Sequence, residues 1–306
     1  MKVSESFITS GKGVAIIALT YCFLWGSAFP GVKTGYALFG VAAGDVPAQL
    51  LFAGYRFTLA GLMVLAFAAL SGKKALSVLP GNKLRLFKLG LGMTTLQYVF
   101  FYIGLANTSG VKASIINSTS VFFSVILAHF FYKYDRLNRH TVSGCLLGFA
   151  GVLIVNWGGE FEAGFKLTGE GFLLMAFFSG AAASIYGKQL SQGIDPTLMT
   201  GWQLTSGGLT LTALGLATGG WLTNFTAASS GLLAYLAFLS AAAFALQSIL
   251  LKYNPVSRVS IFSFTVPLFG AVLSAVFLGD KLLEWKNLLA LILVCSGVWL
   301  VTSRRR

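Results

Sequence analysis

The sequence predicts an all-α integral membrane protein: ten transmembrane helices built as two inverted-topology repeats of five. Three observations carry that expectation. The composition is too apolar for water, the chain divides into ten apolar runs of bilayer length, and motifs recur in order between its halves. Of 306 residues, 56% are hydrophobic and 10% charged, with mean hydropathy +0.79, whereas a soluble domain carries roughly 25% charged residues. So oily a chain has too little polar surface to cover itself in water.

A bilayer-crossing helix needs about 20 mainly apolar residues. Charged residues and Gly/Pro/Asn punctuation cut the chain into spans near 13–38, 46–70, 86–106, 111–132, 139–157, 169–190, 197–218, 229–252, 257–278 and 285–302. The repeats then occupy 13–158 and 169–302, with tails 1–12 and 303–306. The first apolar run is too long for a signal-peptide core and reads as a span. Basic residues set the direction. Lys2, Lys12, Lys73, Lys74, Lys83, Arg85, Lys88, Lys133, Arg136, Arg139, Lys188, Lys252, Arg258 and Arg304 to Arg306 fall on one side, most of the 22 Lys and Arg. Lys33, Lys112, Lys166, Lys281 and Lys286 fall on the other, with Asp45, Glu160, Glu162, Glu170, Asp280 and Glu284. Both termini are therefore expected in the cytoplasm, with the protein in the plasma (cell inner) membrane. The net charge of +13 is mostly a topology signal that also attracts anionic head groups. Basic residues interleaved with aromatics in a separate domain, the mark of nucleic-acid binding, do not occur.

The repeat is legible residue by residue. Residues 111–137 align without a gap to 256–282, so that Val111, Ser118, Val121, Asp135 and Leu137 meet Val256, Ser263, Val266, Asp280 and Leu282. Nearby, "GVLIV" at 151–155 meets "GVWLV" at 297–301, Leu96-Gln97 meets Leu246-Gln247, and "GKG" at 11–13 meets "GEG" at 169–171. An odd number of helices per repeat forces the second copy to enter from the opposite side, an arrangement that many secondary transporters use to alternate access around a midplane site.

Three stretches also carry a family resemblance: "LWGSAFPGVKTGY" in the first span, "YRFTLAG" in the second and "PLFGAVLSAVFLGDKL" in the ninth. Together they resemble the ten-helix, EamA-like branch of the drug/metabolite transporter superfamily, over roughly residues 13–302. Asp280 stands where that family often has Glu, and Phe122 stands opposite Pro267. The resemblance implies a transporter of small organic metabolites, without one substrate, since the superfamily handles amino acids, nucleobases, sugars and drugs.

Polar residues inside the spans are the candidate substrate site. Arg56 lies about 15 Å into its helix at 1.5 Å per residue, close to the midplane, where a charge must face the bundle interior. Two readings stand: an anchor for a substrate carboxylate through paired donors, or a clamp on exposed carbonyls. Its repeat partner, at an offset of 147, is Gln203 beside Trp202. Tyr98 and Tyr102 share a helix face with Gln97 at its edge, and suit either cavity lining or, for Tyr102, the interfacial belt. Trp25, Ser27, Asn117, Tyr186 and Gln247 complete the substrate-binding candidates; for Asn117 and Gln247, helix–helix hydrogen bonding is the alternative. Pro30 and Pro267 interrupt spans and are candidate gate hinges or static kinks. His129 reads as a packing residue or a proton carrier. Gly144 and Gly148 form GxxxG, which suits packing within one bundle or a homodimer, so monomer and homodimer both stay open.

No Asp or Glu falls at mid-span, so the carboxylate relay of proton-driven antiporters is missing. GxSxG, HExxH, GxGxxG and Walker-type motifs are missing too, which disfavours ATP-driven pumps and hydrolases; neither cofactor nor metal is implied. Cys22, Cys145 and Cys295 have no metal or disulfide spacing and are expected in the core. The expected function is alternating-access transport of a small amphipathic metabolite, an amino acid or similar carboxylate, by export or facilitated exchange. A proton-coupled multidrug or nucleobase-type exporter is the alternative; a membrane enzyme or receptor is the rival of another class. Cysteine labelling from either side of the membrane tests the topology: positions 135 and 280 are expected on opposite faces, and labelling from one face would remove the inverted repeat.

Overall fold

The computed structural model describes residues 5–42, 44–74, 78, 80–108, 113, 116–155, 165–278 and 285–302. Asp280, Lys112 and the terminal arginines, which the sequence reading used as topology markers, lie outside these residues. A short helix α1 (Glu5–Thr9) precedes α2 (Gly11–Phe39), and Ser10 caps α2 by accepting from the Gly13 N–H at 3.0 Å. Residues 1–12 were expected as a tail, but α1 packs on α2 with Ile8 buried. The third helix, α3 (Val46–Leu70), starts at Asp45, which accepts from Ala48 N–H, with Pro47 in the first turn where its missing N–H is harmless. There follow α4 (Lys83–Ala106) with a π turn at Leu91–Leu96, α5 (Thr119–Phe131) and α6 (Arg139–Val155). The second half holds α7 (Leu167–Leu190), opening on a π turn at Leu167–Gly171, then α8 (Pro196–Ala217) capped by Asp195, and α9 (Ala227–Tyr253) begun by a Thr226/Ser229 capping box. It ends with α10 (Val256–Ser260), a 3-10 turn at Ile261–Phe264, α11 (Thr265–Leu278) and α12 (Trp285–Thr302).

Five of these, α2, α3, α4, α7 and α9, are long and apolar enough to cross a membrane, and shorter apolar helices accompany them. The chain is thus an all-α membrane protein. Its outer faces agree, because Leu70, Phe130, Phe67 and Trp299 stand largely exposed. So much uncovered apolar surface would aggregate in water; hydrocarbon accepts it. Cys22 and Cys145 are buried, but Cys295 faces outward, a correction to the expected core position. As a small apolar residue it suits a lipid-facing helix side equally well.

Helices α3 and α8 run antiparallel at the closest approach in the bundle. A Cβ at Gly61 would stand 2.4 Å from the Thr205 backbone nitrogen, and one at Gly208 would stand 2.4 Å from that of Thr58. Gly54 meets Thr212 in the same way, and Gly201 meets Leu65. These contacts come in reciprocal pairs: the 147-residue offset that carries Arg56 onto Gln203 carries Gly61 onto Gly208, Thr58 onto Thr205, Gly54 onto Gly201 and Leu65 onto Thr212. At the far edge α6 and α12 pair likewise, Gly144 against the Gly297 carbonyl and Gly151 against that of Ala290. The Gly144/Gly148 face is therefore covered within the chain, by α12 and Phe264. Elsewhere α2 packs on α9 and α11, and α7 packs on α4 and α5.

Irregular backbone inside a bilayer needs donors for every freed carbonyl, and this chain supplies them. Pro267 has no N–H, so the Ser263 carbonyl four residues back loses its helical donor, and the helix tightens to a 3-10 turn just before it. Around that break the Tyr21 hydroxyl donates to the Val259 carbonyl at 3.1 Å, and Cys22 Sγ and Thr265 Oγ1 both donate to that of Phe262. Pro30, by contrast, lies within a helix that continues past it; one turn earlier Gly26 lets α2 approach the Phe269–Gly270 backbone of α11.

Adding one methyl group at the α3–α8 crossing tests its tightness. Gly61→Ala is expected to lower stability by about 1–3 kcal/mol, the usual range for overpacking, read as a lower thermal unfolding midpoint and folded yield. Gly231→Ala, where a Cβ meets nothing within 4 Å, is expected to leave both unchanged or slightly raised.

Candidate functional site

Helix α3 delivers Arg56 to the bundle interior, where the side chain is only 4% exposed. Its Nε donates to Ser240 Oγ on α9 at 2.8 Å, and the Ser240 hydroxyl in turn donates to the Leu236 carbonyl. Nη1 and Nη2 have no hydrogen-bond acceptor among the described residues. The guanidinium carbon stands 5.0 Å from the Phe57 ring centroid, a cation–π distance. Aromatic edges surround it: Tyr98 lies 4.4 Å from Phe57, Tyr102 lies 6.0 Å from Tyr98, and Phe244 of α9 links Phe57 to Trp25 of α2. The Arg56 charge acts on the phenols of Tyr36, Tyr98 and Tyr102, and the Tyr36 and Tyr102 hydroxyls face each other. One fixed cation edge, three phenols and an apolar wall thus share one site. That set can bind a small anion carrying an apolar body.

The structure brings together Arg56, Tyr98, Tyr102 and Trp25. Tyr102, for which the interfacial belt stayed open, is 2% exposed and sits beside the cation. Gln203 is completely buried and donates from Nε2 to Thr94 Oγ1 at 2.9 Å, with its Oε1 unpartnered among the described residues. Arg56 and its repeat partner Gln203 thus each bond a hydroxyl on a helix of the other half, Ser240 and Thr94. The charge and its neutral partner both make inter-helix bonds to hydroxyls, and the arginine keeps two whole nitrogens, with four N–H donors, outside its bond. Trp202 packs half-buried against the same core as Phe57 and Tyr98. The buried Gln247 Oε1 has no hydrogen-bond partner among the described residues.

Other candidates lie elsewhere. Gln97 turns to α7, where its amide covers Gly180, and Tyr186 lines a lateral groove with Lys88. Ser27 shares a hydrogen bond with the Tyr235 hydroxyl at 3.0 Å, and Asn117 is half-buried at the start of the fourth span. His129 accepts the Leu137 N–H on Nδ1 at 3.1 Å, which holds the α5–α6 loop. Sequence reading missed Tyr36, Ser240, Phe57 and Phe244 as site members. Ser240 reads in sequence as one small residue among alanines, and the three aromatics look like any core ring.

A second polar cluster closes the Lys188 end of the bundle. Lys188, which the sequence reading placed among the basic residues flanking the spans, is 4% exposed. Its Nζ donates to the carbonyls of Leu251 and Asn254 at the C-terminus of α9, the end of a helix that favours a cation. Asp135 is also buried and accepts from the N–H and hydroxyl of Ser257 in the first turn of α10, where an anion is favoured. Tyr132 donates to the Ile185 carbonyl at 3.0 Å, and Asn254 Nδ2 donates to that of Ile8. Lys73 pairs with Asp195 at 2.8 Å at the same end.

A multi-helix membrane protein with a polar site walled by aromatics is a carrier in outline, and the comparisons assign its family. The chain belongs to the EamA-like transporter family, whose model matches residues 12–157 and 167–303; it is a transporter and not an enzyme. It is 26% identical over 301 residues to an uncharacterized transporter of Archaeoglobus fulgidus, covering 97% of this chain and 99% of that one. A probable amino-acid metabolite efflux pump of Salmonella typhimurium is 29% identical over 181 residues, 58% of this chain and 54% of the relative. A solved crystal structure matches with TM-score 0.79 over 95% of this chain and 96% of its own, at 17% identity, a likeness of fold alone.

The α3–α8 ion pair gives a pH signature. Burial pushes the Asp195 carboxyl up, but the Lys73 bond and charge and the N–H groups of Leu198 and Thr197 outweigh it and hold it below its ordinary value. A lowered folded-state pKa contributes stability that is present at neutral pH and lost as pH falls through the folded value. Both side chains are 37% exposed, so the pair itself contributes at most about 1 kcal/mol after screening. Thermal unfolding followed from neutral to acid pH is expected to show a loss of stability that Asp195→Asn reduces.

Proposed function

We propose that this protein is a secondary transporter that moves a small carboxylate-bearing amphipathic metabolite, an amino acid or close relative, across the plasma membrane by alternating access. One observation carries the reading: Arg56 is anchored through Nε alone, so its outer edge presents two parallel donors into an aromatic-walled site. A carboxylate accepts that edge in bidentate form, while Tyr98, Tyr102 and Trp25 provide surface for an apolar side chain. The clamp and anchor readings then belong to different nitrogens of one side chain. The name of the Salmonella relative, a probable amino-acid metabolite efflux pump, agrees in substrate class and favours export.

Alternating access rests on the inverted five-helix repeat. What supports it is reciprocity: the α3–α8 and α6–α12 contacts map onto themselves with the halves exchanged, and Arg56 and its repeat partner Gln203 each bond a hydroxyl of the other half. Both termini then lie in the cytoplasm. The Lys188 and Asp135 cluster would be the inner gate, and opening it requires those two buried charges to be released together. Asp and Glu among the described residues all stand at span ends, which favours facilitated exchange over proton coupling.

Counterflow in proteoliposomes with a panel of amino acids and their amides tests the site. Arg56→Gln is expected to cut carboxylate flux by about 10–100-fold, the equivalent of losing a charge-assisted pair worth about 1.5–3 kcal/mol, with folded yield retained. Ser240→Ala, which frees the guanidinium, is expected to reduce flux less. Loss of folded protein in step with flux would assign Arg56 to the scaffold. Flux that needs a pH gradient would defeat facilitated exchange.

A further inference from the structure

A groove of about 610 Å³ opens on the side of the bundle between α4 and α7, bounded by Phe123 of α5. It is separate from the Arg56 site, and its origin is local. The π turn at Leu91–Leu96 widens α4, and where it meets α7 the facing residues are small: Gly92, Ser179, Ala182 and Ala183 make the floor. Leu96, Phe100, Leu174, Met175 and Phe178 make the walls. A π turn weakens the regular helical pairing of its carbonyls, and Ser179 Oγ donates to the Gly92 carbonyl at 2.9 Å. That bond leaves the floor dry, fit for hydrocarbon rather than for water or a polar solute.

The ends of the groove differ. Helices α4 and α7 are antiparallel, as Leu89 beside Gly187 and Gly104 beside Leu173 establish, so Lys88 and Tyr186 share one end while Phe100 and Leu174 mark the other. The twelve steps from Lys88 to Phe100 span about 18 Å at 1.5 Å per residue, against about 15 Å for the hydrocarbon of one leaflet. At the Lys88 end, the exposed Lys83 and Arg85 stand on the first turn of the same helix. Tyr186 offers a hydroxyl at the level where amphipathic rings meet head groups.

We propose that this groove binds one acyl chain of an anionic phospholipid, with the lipid phosphate held by the Lys88 ammonium and the Tyr186 hydroxyl. A lysine with its stem along apolar surface and its head at the interface is the snorkelling arrangement. Charge complementarity selects the anionic lipid, and groove length selects a single leaflet-deep chain. The site rests on no part of the carboxylate-transport reading.

Native mass spectrometry of the purified full chain, titrated with phosphatidylglycerol or phosphatidylcholine of identical chains, tests it. The unsubstituted protein is expected to retain phosphatidylglycerol over phosphatidylcholine by about five-fold, the effect of roughly one interfacial charge. Lys88→Ala is expected to bring the two lipids level, and Ala182→Phe, which fills the floor, to remove both adducts. Leu96→Trp narrows the groove from its wall and stands in if Ala182→Phe does not fold. Equal retention of the two lipids by the unsubstituted protein overturns the headgroup assignment. Unchanged retention in both groove variants, or a dimer that those variants abolish in place of a lipid adduct, overturns the site.

Discussion

Everything in this bundle depends on the glycine-lined crossing of α3 and α8. In hydrocarbon no hydrophobic force drives helices together, so association comes from close packing and interhelical hydrogen bonds. Gly54, Gly61, Gly201 and Gly208 remove the side chains that would hold the two backbones apart. The crossing fixes the rotation of α3: Gly54, Thr58 and Gly61 face α8, so Arg56, about 200° round the helix from Gly54 at 3.6 residues per turn, faces the other way, where Ser240 of α9 meets it. The position of the buried cation thus depends on that contact.

A second constraint runs through the irregular stretches. The π turn of α4 and the 3-10 turn before α11 loosen backbone hydrogen bonds at depths where water is absent. In each case a side chain from a neighbouring helix takes up a carbonyl there: Ser179 for Gly92, Tyr21 for Val259, Cys22 for Phe262. The distortions thereby become inter-helix links. A helix break sealed from the side can bend without exposing its backbone to lipid, which suits a carrier whose elements must shift during a cycle.

Charge is handled by the same logic at different depths. Lys188 and Asp135 lie buried where a helix C-terminus and a helix N-terminus offer opposite partial charges, so each ion is compensated by backbone dipoles. Arg56 has no such terminus and relies on Ser240, the Phe57 face and surrounding phenols. Its compensation is incomplete: two nitrogens make no bond to an acceptor among the described residues. Gln203 needs none of this, which is why the two halves make the same bond with different consequences.

The sequence alone determined the solvent, the placement of the long apolar helices and the position of the buried cation, because hydropathy and length reflect only where each residue must sit relative to lipid. The five long apolar helices fall within a few residues of expected spans, and Arg56 was legible because a charge inside hydrocarbon has to have a reason. Within the site, Tyr98, Tyr102 and Trp25 were legible as polar or amphipathic residues on interior faces. What tertiary structure decided is direction and partnership. Gln97 and Tyr186 look like Tyr98 in sequence yet turn to α7 and to a lateral groove, because helix rotation is set by packing that no single segment contains. Lys188 reads as a flanking charge until α9 ends above it. Ser240 and Tyr36 joined the arginine only when α2, α3 and α9 were brought together, since a hydrogen bond across 184 residues leaves no periodicity in the chain that makes it.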